Sequence, residues 1–224
     1  MTPDVFAQSV LFTLGPFPVT GMMVASVFTS LVLCVLGGLL ARAVRHAPGG
    51  RLAAAGRLTY TFLRDLVRGT AGRPVPVLEV FAGTFFLFIA GAAIIGQLPG
   101  VTAPTANLAA PAALAVLVFF AAPFAGIRAR GFGGYVGHYF RPNPIFFPFH
   151  VISEITRTLA LALRLFGNMM SGHMVVILLV ALVGPLVPVP LMALDLLIGL
   201  LQAYIFTILA SVYIGAAIRE GEED

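Results

Sequence analysis

The sequence of 224 residues contains few charged side chains, no lysine, no tryptophan and a single cysteine. Charged residues make up 10% of the chain, a proportion too low for an ordinary soluble domain. One thiol, Cys34, excludes an internal disulfide framework and a cysteine-based metal site. No glycine-rich phosphate loop occurs in the sequence, which argues against nucleotide chemistry in this chain. Residues 1–8 include Asp4 and no basic side chain, so we expect no cleaved signal peptide.

Apolar residues dominate the composition and occur in long runs. Hydrophobic residues make up 59% of the chain, and its mean hydropathy is +1.02. Several runs reach about 20 residues, the length that a helix needs to cross a bilayer. The basic residues cluster beside these runs without interleaved aromatics, which argues against a nucleic-acid partner. The sequence therefore predicts a polytopic protein of the lipid bilayer. Its arginine-only basic set, in a background rich in alanine and glycine, indicates a bacterial source.

Hydropathy and turn signals predict an all-α fold in a single membrane domain, with five membrane-crossing helices and one interfacial amphipathic helix. The crossing segments cover residues 19–41, 77–98, 105–127, 144–183 and 191–218. A glycine-rich connection at 131–134 is predicted to break any helix that continues beyond the third segment. The fourth segment would measure about 60 Å as one helix, twice the span of the hydrocarbon core. We therefore expect it to tilt steeply or to bend at Pro148 or Gly167, and to form a long antiparallel hairpin with the last segment.

Arginines between the first and second segments set the predicted orientation. They are Arg42, Arg45, Arg51, Arg57, Arg64, Arg68 and Arg73. The positive-inside rule places this connection in the cytoplasm, the N-terminus outside and, after five crossings, the C-terminus in the cytoplasm. At about 100° per residue, the apolar side chains of residues 51–68 lie on one face and Arg57, Arg64 and Arg68 lie opposite. This pattern predicts a helix lying on the membrane surface, and a docking surface for a soluble partner is the alternative.

Polar residues inside the fourth segment are the strongest sign of function. Helical geometry places Arg157, Arg164, Asn168 and Ser171 on one stripe. An arginine at bilayer depth costs roughly 2.5–3.5 kcal/mol, so such residues are rarely kept for packing alone. In the predicted hairpin, Arg164 comes level with Gln202. The guanidinium keeps its charge, so Arg164 can repel cations and stabilise a carboxylate opposite it.

The same hairpin brings His173 level with Asp195, and either side chain can exchange protons. The topology sorts the polar groups by side: His150 and Glu154 lie toward the cytoplasm, and His173, Asp195 and Asn107 lie toward the outer face, with Arg164 between them. This layout predicts two aqueous half-paths separated by a fixed positive charge. Structural alternatives remain open: an ion pair of Glu154 with Arg157, an interfacial His150, a helix-capping Asn107, and a purely structural pair of His173 with Asp195.

Residues 163–169, which read Leu-Arg-Leu-Phe-Gly-Asn-Met and are followed by Gly172, resemble the signature of subunit a of F-type ATP synthases. Supporting matches are Leu98-Pro99-Gly100, Pro104-Thr105-Ala106-Asn107 and Leu201-Gln202-Ala203-Tyr204-Ile205-Phe206. The resemblance covers residues 75–218, about two thirds of the chain. Many members carry a carboxylate where this chain has His173, and some carry a histidine where it has Asp195. The acid–imidazole pair is thus retained with its members exchanged.

The resemblance implies a membrane stator beside a rotating ring of c subunits, held by a b-subunit peripheral stalk within the F1Fo complex of a bacterial cytoplasmic membrane. Arg164 matches the essential arginine of the family, Gln202 its nearby glutamine, and Asn107 a polar position of the outer half-channel. The chain would move protons, without a cofactor or metal, and would make or break no covalent bond itself. An ion-coupled secondary transporter is the alternative, although its usual inverted repeats are not seen here. A membrane scaffold would leave Arg164 unexplained.

Overall fold

The computed structural model describes residues 10–14, 17–71, 76–97, 108–139, 147–184 and 187–219. Within them lie two strands and six helices: β1 (Val10–Leu14), β2 (Phe17–Thr20), α1 (Gly21–His46), α2 (Arg51–Ala71), α3 (Pro76–Ile95), α4 (Ala109–Tyr139), α5 (Phe147–Val183) and α6 (Val189–Arg219). Five helices, all except α2, are long and apolar enough to cross a membrane. The predicted all-α, polytopic membrane class is confirmed. Asn107 and residues 144–146 lie outside the described residues.

The start of the chain differs from the prediction. β1 and β2 pair antiparallel, with Val10 opposite Thr20 and Leu14 opposite Phe17. Val19 and Thr20 therefore belong to a strand, and the prediction that the first crossing helix begins at residue 19 is wrong. A short apolar run does not by itself distinguish a strand from the first turn of a helix. The helix also continues to His46, because arginine is a good helix former and its long stem can reach the membrane edge.

The amphipathic helix α2 bridges α1 and α3 near one end of the bundle. A β-carbon on Gly56 would lie 3.1 Å from Val44 Cγ2 of α1, and seven residues later Leu63 packs against Gly83 of α3. The rings of Phe62 and Phe86 meet edge to face with centroids 5.4 Å apart. Going backward along α2 from Arg68 through Leu63 to Phe62, the partners on α3 advance from Glu79 through Gly83 to Phe86, so this half of α2 runs antiparallel beside α3.

The predicted faces of α2 are only partly correct. Leu63 and Val67 are buried, but Leu52 of the same apolar face is 64% exposed. The arginine face is not wholly solvated either, since Arg68 Nε donates to Glu79 Oε1 at 3.0 Å. The Nε atom of Arg64 is buried without a hydrogen-bond partner in the described part of the chain. Periodicity identified the two faces, but the neighbouring helices cover them unevenly.

The main core is formed by facing sides of α3, α4, α5 and α6. Its buried members are Phe85, Ile89, Ala90, Ala93, Ala115, Val118, Leu161, Ala162, Leu165, Met169, Ala203, Phe206 and Ala210. Many are small, which allows the helices to approach closely where no hydrophobic force acts between them in lipid. Gly199 shows this closeness, since a β-carbon there would lie 2.7 Å from Ala93 Cβ. The stripe of α5 that carries Arg164 lies outside this core.

Helix α5 spans 37 residues, or about 55 Å, without interruption. The helix is therefore not broken at either of the two predicted bend positions. Pro148 lies in the first turn, where proline is tolerated, and the helix continues through Gly167. The expected break in α4 is found at Gly131 (φ 76°, ψ 162°), but the chain resumes a helix to Tyr139 instead of remaining a loop. Gly184 (φ 93°) ends α5, as a glycine in the left-handed region commonly does.

Candidate functional site

Helices α5 and α6 form an antiparallel hairpin whose register is set by two close contacts. The carboxylate of Asp195 lies against Gly172, and Met169 Cε lies 3.2 Å from the position that a β-carbon on Gly199 would take. A step toward the N-terminus of α5 thus matches a step toward the C-terminus of α6. Continued at 1.5 Å per residue, this register brings Arg164 to the height of Ala203 and Tyr204, about 1.5–3 Å from the level of Gln202 that the sequence predicts.

Arg164 projects from the side of α5 that the core does not cover. Leu161 and Leu165 on either side of it are buried, whereas Arg164 itself is exposed. Within the described residues, its guanidinium has no hydrogen bond or ion pair. Arg157 and Ser171 on the same stripe are also exposed, and Asn168 is half-buried. The arrangement is a positive charge on an exposed helix face, without a partner among the residues that the structure describes.

Gln202 lies on α6 close to this height but faces inward. It is 5% exposed, and its Nε2 atom is buried without a hydrogen-bond partner among the residues that the structure describes. A buried amide donor left unpaired costs about 1–3 kcal/mol. Close to one level, the hairpin therefore carries an exposed cation that a partner from outside this chain can reach and a buried amide without a hydrogen-bond partner among the described residues.

A polar cluster joins three helices toward the other end of the hairpin. Gln97, in the turn after α3, donates a hydrogen bond from Nε2 to Oδ2 of Asp195 at 3.0 Å. Gly172 of α5 lies against the same carboxylate. His173 follows Gly172 on α5, but its side chain lies outside the described part of the structure. The pairing of His173 with Asp195 stays a prediction, as does the role of Asn107.

Gln97 was missed by the sequence reasoning, although a signal was present. It is the polar residue immediately before Leu98-Pro99-Gly100, at the predicted outer end of a crossing helix. Gln97 ends the second crossing segment at the same side of the membrane on which the last crossing helix begins. Its position along the membrane normal is therefore close to that of Asp195. Pro99 and Gly100 mark a turn, and the polar side chain of Gln97 just before them is the signal of a contact with other polar residues.

The opposite half of the hairpin carries a second contact that the sequence did not predict. The guanidinium carbon of Arg157 lies 4.4 Å from the centroid of the Tyr213 ring, a cation–π contact between α5 and α6. Glu154, the partner considered for Arg157, is half-buried, and its carbonyl accepts a hydrogen bond from Thr158 Oγ1 at 3.0 Å. His150 is exposed in the first turn of α5.

The described residues contain no group of three His, Cys, Asp or Glu side chains arranged to hold a metal.

Comparisons with known proteins identify the family of this chain. A family model described as ATP synthase A chain matches residues 22–215. A protein of Bradyrhizobium sp. named ATP synthase subunit a 2 is 41% identical over 221 residues, covering 97% of each chain. ATP synthase subunit a 1 of Hahella chejuensis is 40% identical over 220 residues, covering 98% of this chain and 93% of its own. ATP synthase subunit a 2 of Pelobacter propionicus is 43% identical over 213 residues, covering 95% and 92%.

Proposed function

This chain belongs to the ATP synthase A chain family, and from that membership we propose that it is the ion-translocating stator subunit of a rotary F-type ATP synthase. In this role it gives the carboxylates of a rotating c-subunit ring access to two aqueous half-paths, separated by Arg164. The ion is the proton, and the membrane is the cytoplasmic membrane of a bacterium, with the N-terminus outside and the C-terminus in the cytoplasm. A b-subunit stalk holds the chain against rotation, and nucleotide chemistry belongs to the soluble subunits.

The observation that carries this proposal is the unpaired charge of Arg164. A guanidinium on a lipid-facing surface is costly, and no acid within the described residues neutralises it. A ring carboxylate that arrives opposite it supplies the missing negative charge. The positive charge favours the ionised form of that carboxylate, so the carboxylate releases its proton there. The same charge repels a proton that would pass directly between the half-paths, so transport requires rotation.

The polar groups on either side of Arg164 supply the two half-paths. Toward the outside, Asp195 lies seven residues from Gln202 along α6, about 10 Å away, with His173 and Asn107 assigned to the same half-path. Toward the cytoplasm, Glu154 and His150 precede Arg164 by ten and fourteen residues along α5, or about 15–21 Å. Asn168 offers an amide near Arg164 that orients the passing carboxylate, and Gln202 offers a buried amide to the path inside the chain. Neither amide titrates, so neither bypasses the arginine.

The test is ATP-driven acidification of inverted membrane vesicles that contain the assembled complex. We expect Arg164→Ala to abolish acidification and to raise the passive proton leak, because the barrier between the half-paths is gone. Arg128→Ala is the matched control, since Arg128 is an exposed arginine that lies on α4 and on neither helix of the hairpin, and should leave the rate unchanged. The wild-type rate should be the same in sodium-free buffer, as expected for a proton pump.

Two results would contradict the proposal. Undiminished acidification by Arg164→Ala would mean that the charge is structural. Failure of the chain to co-purify with a c-subunit ring, together with ion uptake by the isolated chain, would favour a secondary transporter instead. A sodium requirement would keep the stator role and replace the proton by Na⁺.

A further inference from the structure

Asp195 is held by neighbours from two other helices at one height. Gln97 Nε2 reaches Oδ2 at 3.0 Å, and Gly172 leaves the space that the other oxygen, Oδ1, occupies. One turn deeper, Ala93, Met169 and Gly199 repeat the same three-helix contact with apolar atoms. The orientation of this carboxylate is therefore set by α3 and α5 and not by its own helix.

The hydrogen bond from Gln97 is the polar half of that arrangement. Gln97 and Asp195 are 98 residues apart in the sequence, and both side chains are half-buried. An amide N–H donated to one carboxylate oxygen fixes the orientation of the carboxylate and leaves the other oxygen available. A hydrogen bond to a charged group is worth about 1.5–3 kcal/mol, which corresponds to roughly a tenfold to hundredfold change in an equilibrium.

We propose that Gln97 is a positioning residue of the outer half-path, which holds the Asp195 carboxylate in the orientation in which it can accept and pass on protons. Gln97 exchanges no proton itself, since an amide does not titrate. The inference rests on the proposed function. It adds a residue from the turn after α3 to a path otherwise assigned to α5, α6 and Asn107.

The first experiment removes the donor and keeps the shape. Gln97→Met preserves the length and approximate volume of the side chain but has no N–H group. We expect ATP-driven proton uptake, measured per assembled complex in inverted vesicles, to fall about tenfold, in line with the loss of one charge-assisted hydrogen bond. Ile94→Met is the matched control, because Ile94 is an exposed residue near the same end of α3 and should keep the wild-type rate. Wild-type pumping by Gln97→Met would overturn the inference.

The second experiment exchanges the amide of Gln97 and the carboxylate of Asp195. It distinguishes a role of Gln97 in positioning the carboxylate from a role in packing alone. Gln97→Glu alone sets two carboxylates face to face, and Asp195→Asn alone removes the acid, so each should lower the rate at least tenfold. The double variant restores one amide opposite one carboxylate, and we expect it to pump several-fold faster than either single variant. A double variant no faster than the slower single variant would overturn the inference. This comparison also decides the case if Gln97→Met fails to assemble.

Arg164→Ala in the same vesicles distinguishes failure of the inference from failure of the proposed function. Loss of pumping in Arg164→Ala with normal pumping in Gln97→Met would refute the role of Gln97 and leave the stator function intact. Normal pumping by Arg164→Ala would refute the function, and the role of Gln97 with it.

Discussion

The carboxylate of Asp195 on α6 occupies the space that a β-carbon on Gly172 of α5 would fill. A similar relation holds one turn deeper, where Met169 of α5 lies against Gly199 of α6. The spacing of the two helices thus depends on one glycine from each. Close approach through small residues is a common way for membrane helices to associate, because packing replaces the hydrophobic force. Here it also leaves room for an acidic side chain between the helices.

Gly172→Ala should disturb this junction. The added methyl group collides with the Asp195 carboxylate, so we expect a loss of about 1–3 kcal/mol in stability and a clear drop in proton pumping. Thermal unfolding of the detergent-solubilised chain measures the first effect, and vesicle acidification measures the second. Gly38→Ala is the control, because nothing lies within 4 Å of its β-carbon position and alanine favours a helix by up to about 1 kcal/mol. Equal behaviour of the two variants would contradict the close contact.

Gly167→Ala should separate packing within this chain from packing against a partner. No atom of the described residues lies within 4 Å of its β-carbon position, so the purified chain should be as stable as the wild type or slightly more so. Gly167 lies on the exposed side of α5 near Arg164, where we propose that the c ring passes. Pumping by the assembled complex should therefore fall. Normal pumping would mean that no partner approaches closely at this position.

Gln202→Met should affect transport without affecting the fold. The buried Nε2 atom has no partner in the described part of the chain, so removing it relieves a cost of about 1–3 kcal/mol and leaves stability equal or higher. We expect pumping to drop about tenfold, because the amide lies close to the level of Arg164 and its free N–H can hydrogen-bond to a group of the proton path inside this chain. Leu201→Met, at an exposed neighbouring position, serves as the control in both assays. A destabilised Gln202→Met with normal pumping would assign the amide a structural role.

Arg68→Ala should weaken the attachment of α2 to α3. The substitution leaves the Glu79 carboxylate, whose side chain is 9% exposed, without its 3.0 Å partner. Because Arg68 is 37% exposed and water screens the pair, we expect a loss of about 1–2 kcal/mol, seen as a lower unfolding temperature in detergent. Arg51→Ala, an exposed arginine of the same helix, should cause little change. The double variant Arg68→Ala with Glu79→Gln should recover part of the loss, and no recovery would mean that the pair is not the cause.

The sequence alone determined the number of crossing helices, the amphipathic helix between the first two, and the register of the final hairpin. These features follow from local rules: about 20 apolar residues span a bilayer, and a helix advances 1.5 Å per residue. The level of Arg164 relative to Gln202 could be counted from residue numbers to within two residues, because the turn between α5 and α6 is short. The identity of residues 163–169 carried the family resemblance without any structural information.

Tertiary structure alone decided which side chains meet across helices. Gln97 bonds Asp195 and Arg157 lies over Tyr213, although neither pair follows from the period of one helix. The uneven burial of α2 and the strand pairing of Val19 and Thr20 also depend on neighbours remote in sequence or on backbone pairing that apolar content does not predict. Helical periodicity fixes the direction in which a side chain points around the axis of its own helix. The distance and rotation of the neighbouring helix, which small residues such as Gly172 and Gly199 permit, decide what that side chain contacts.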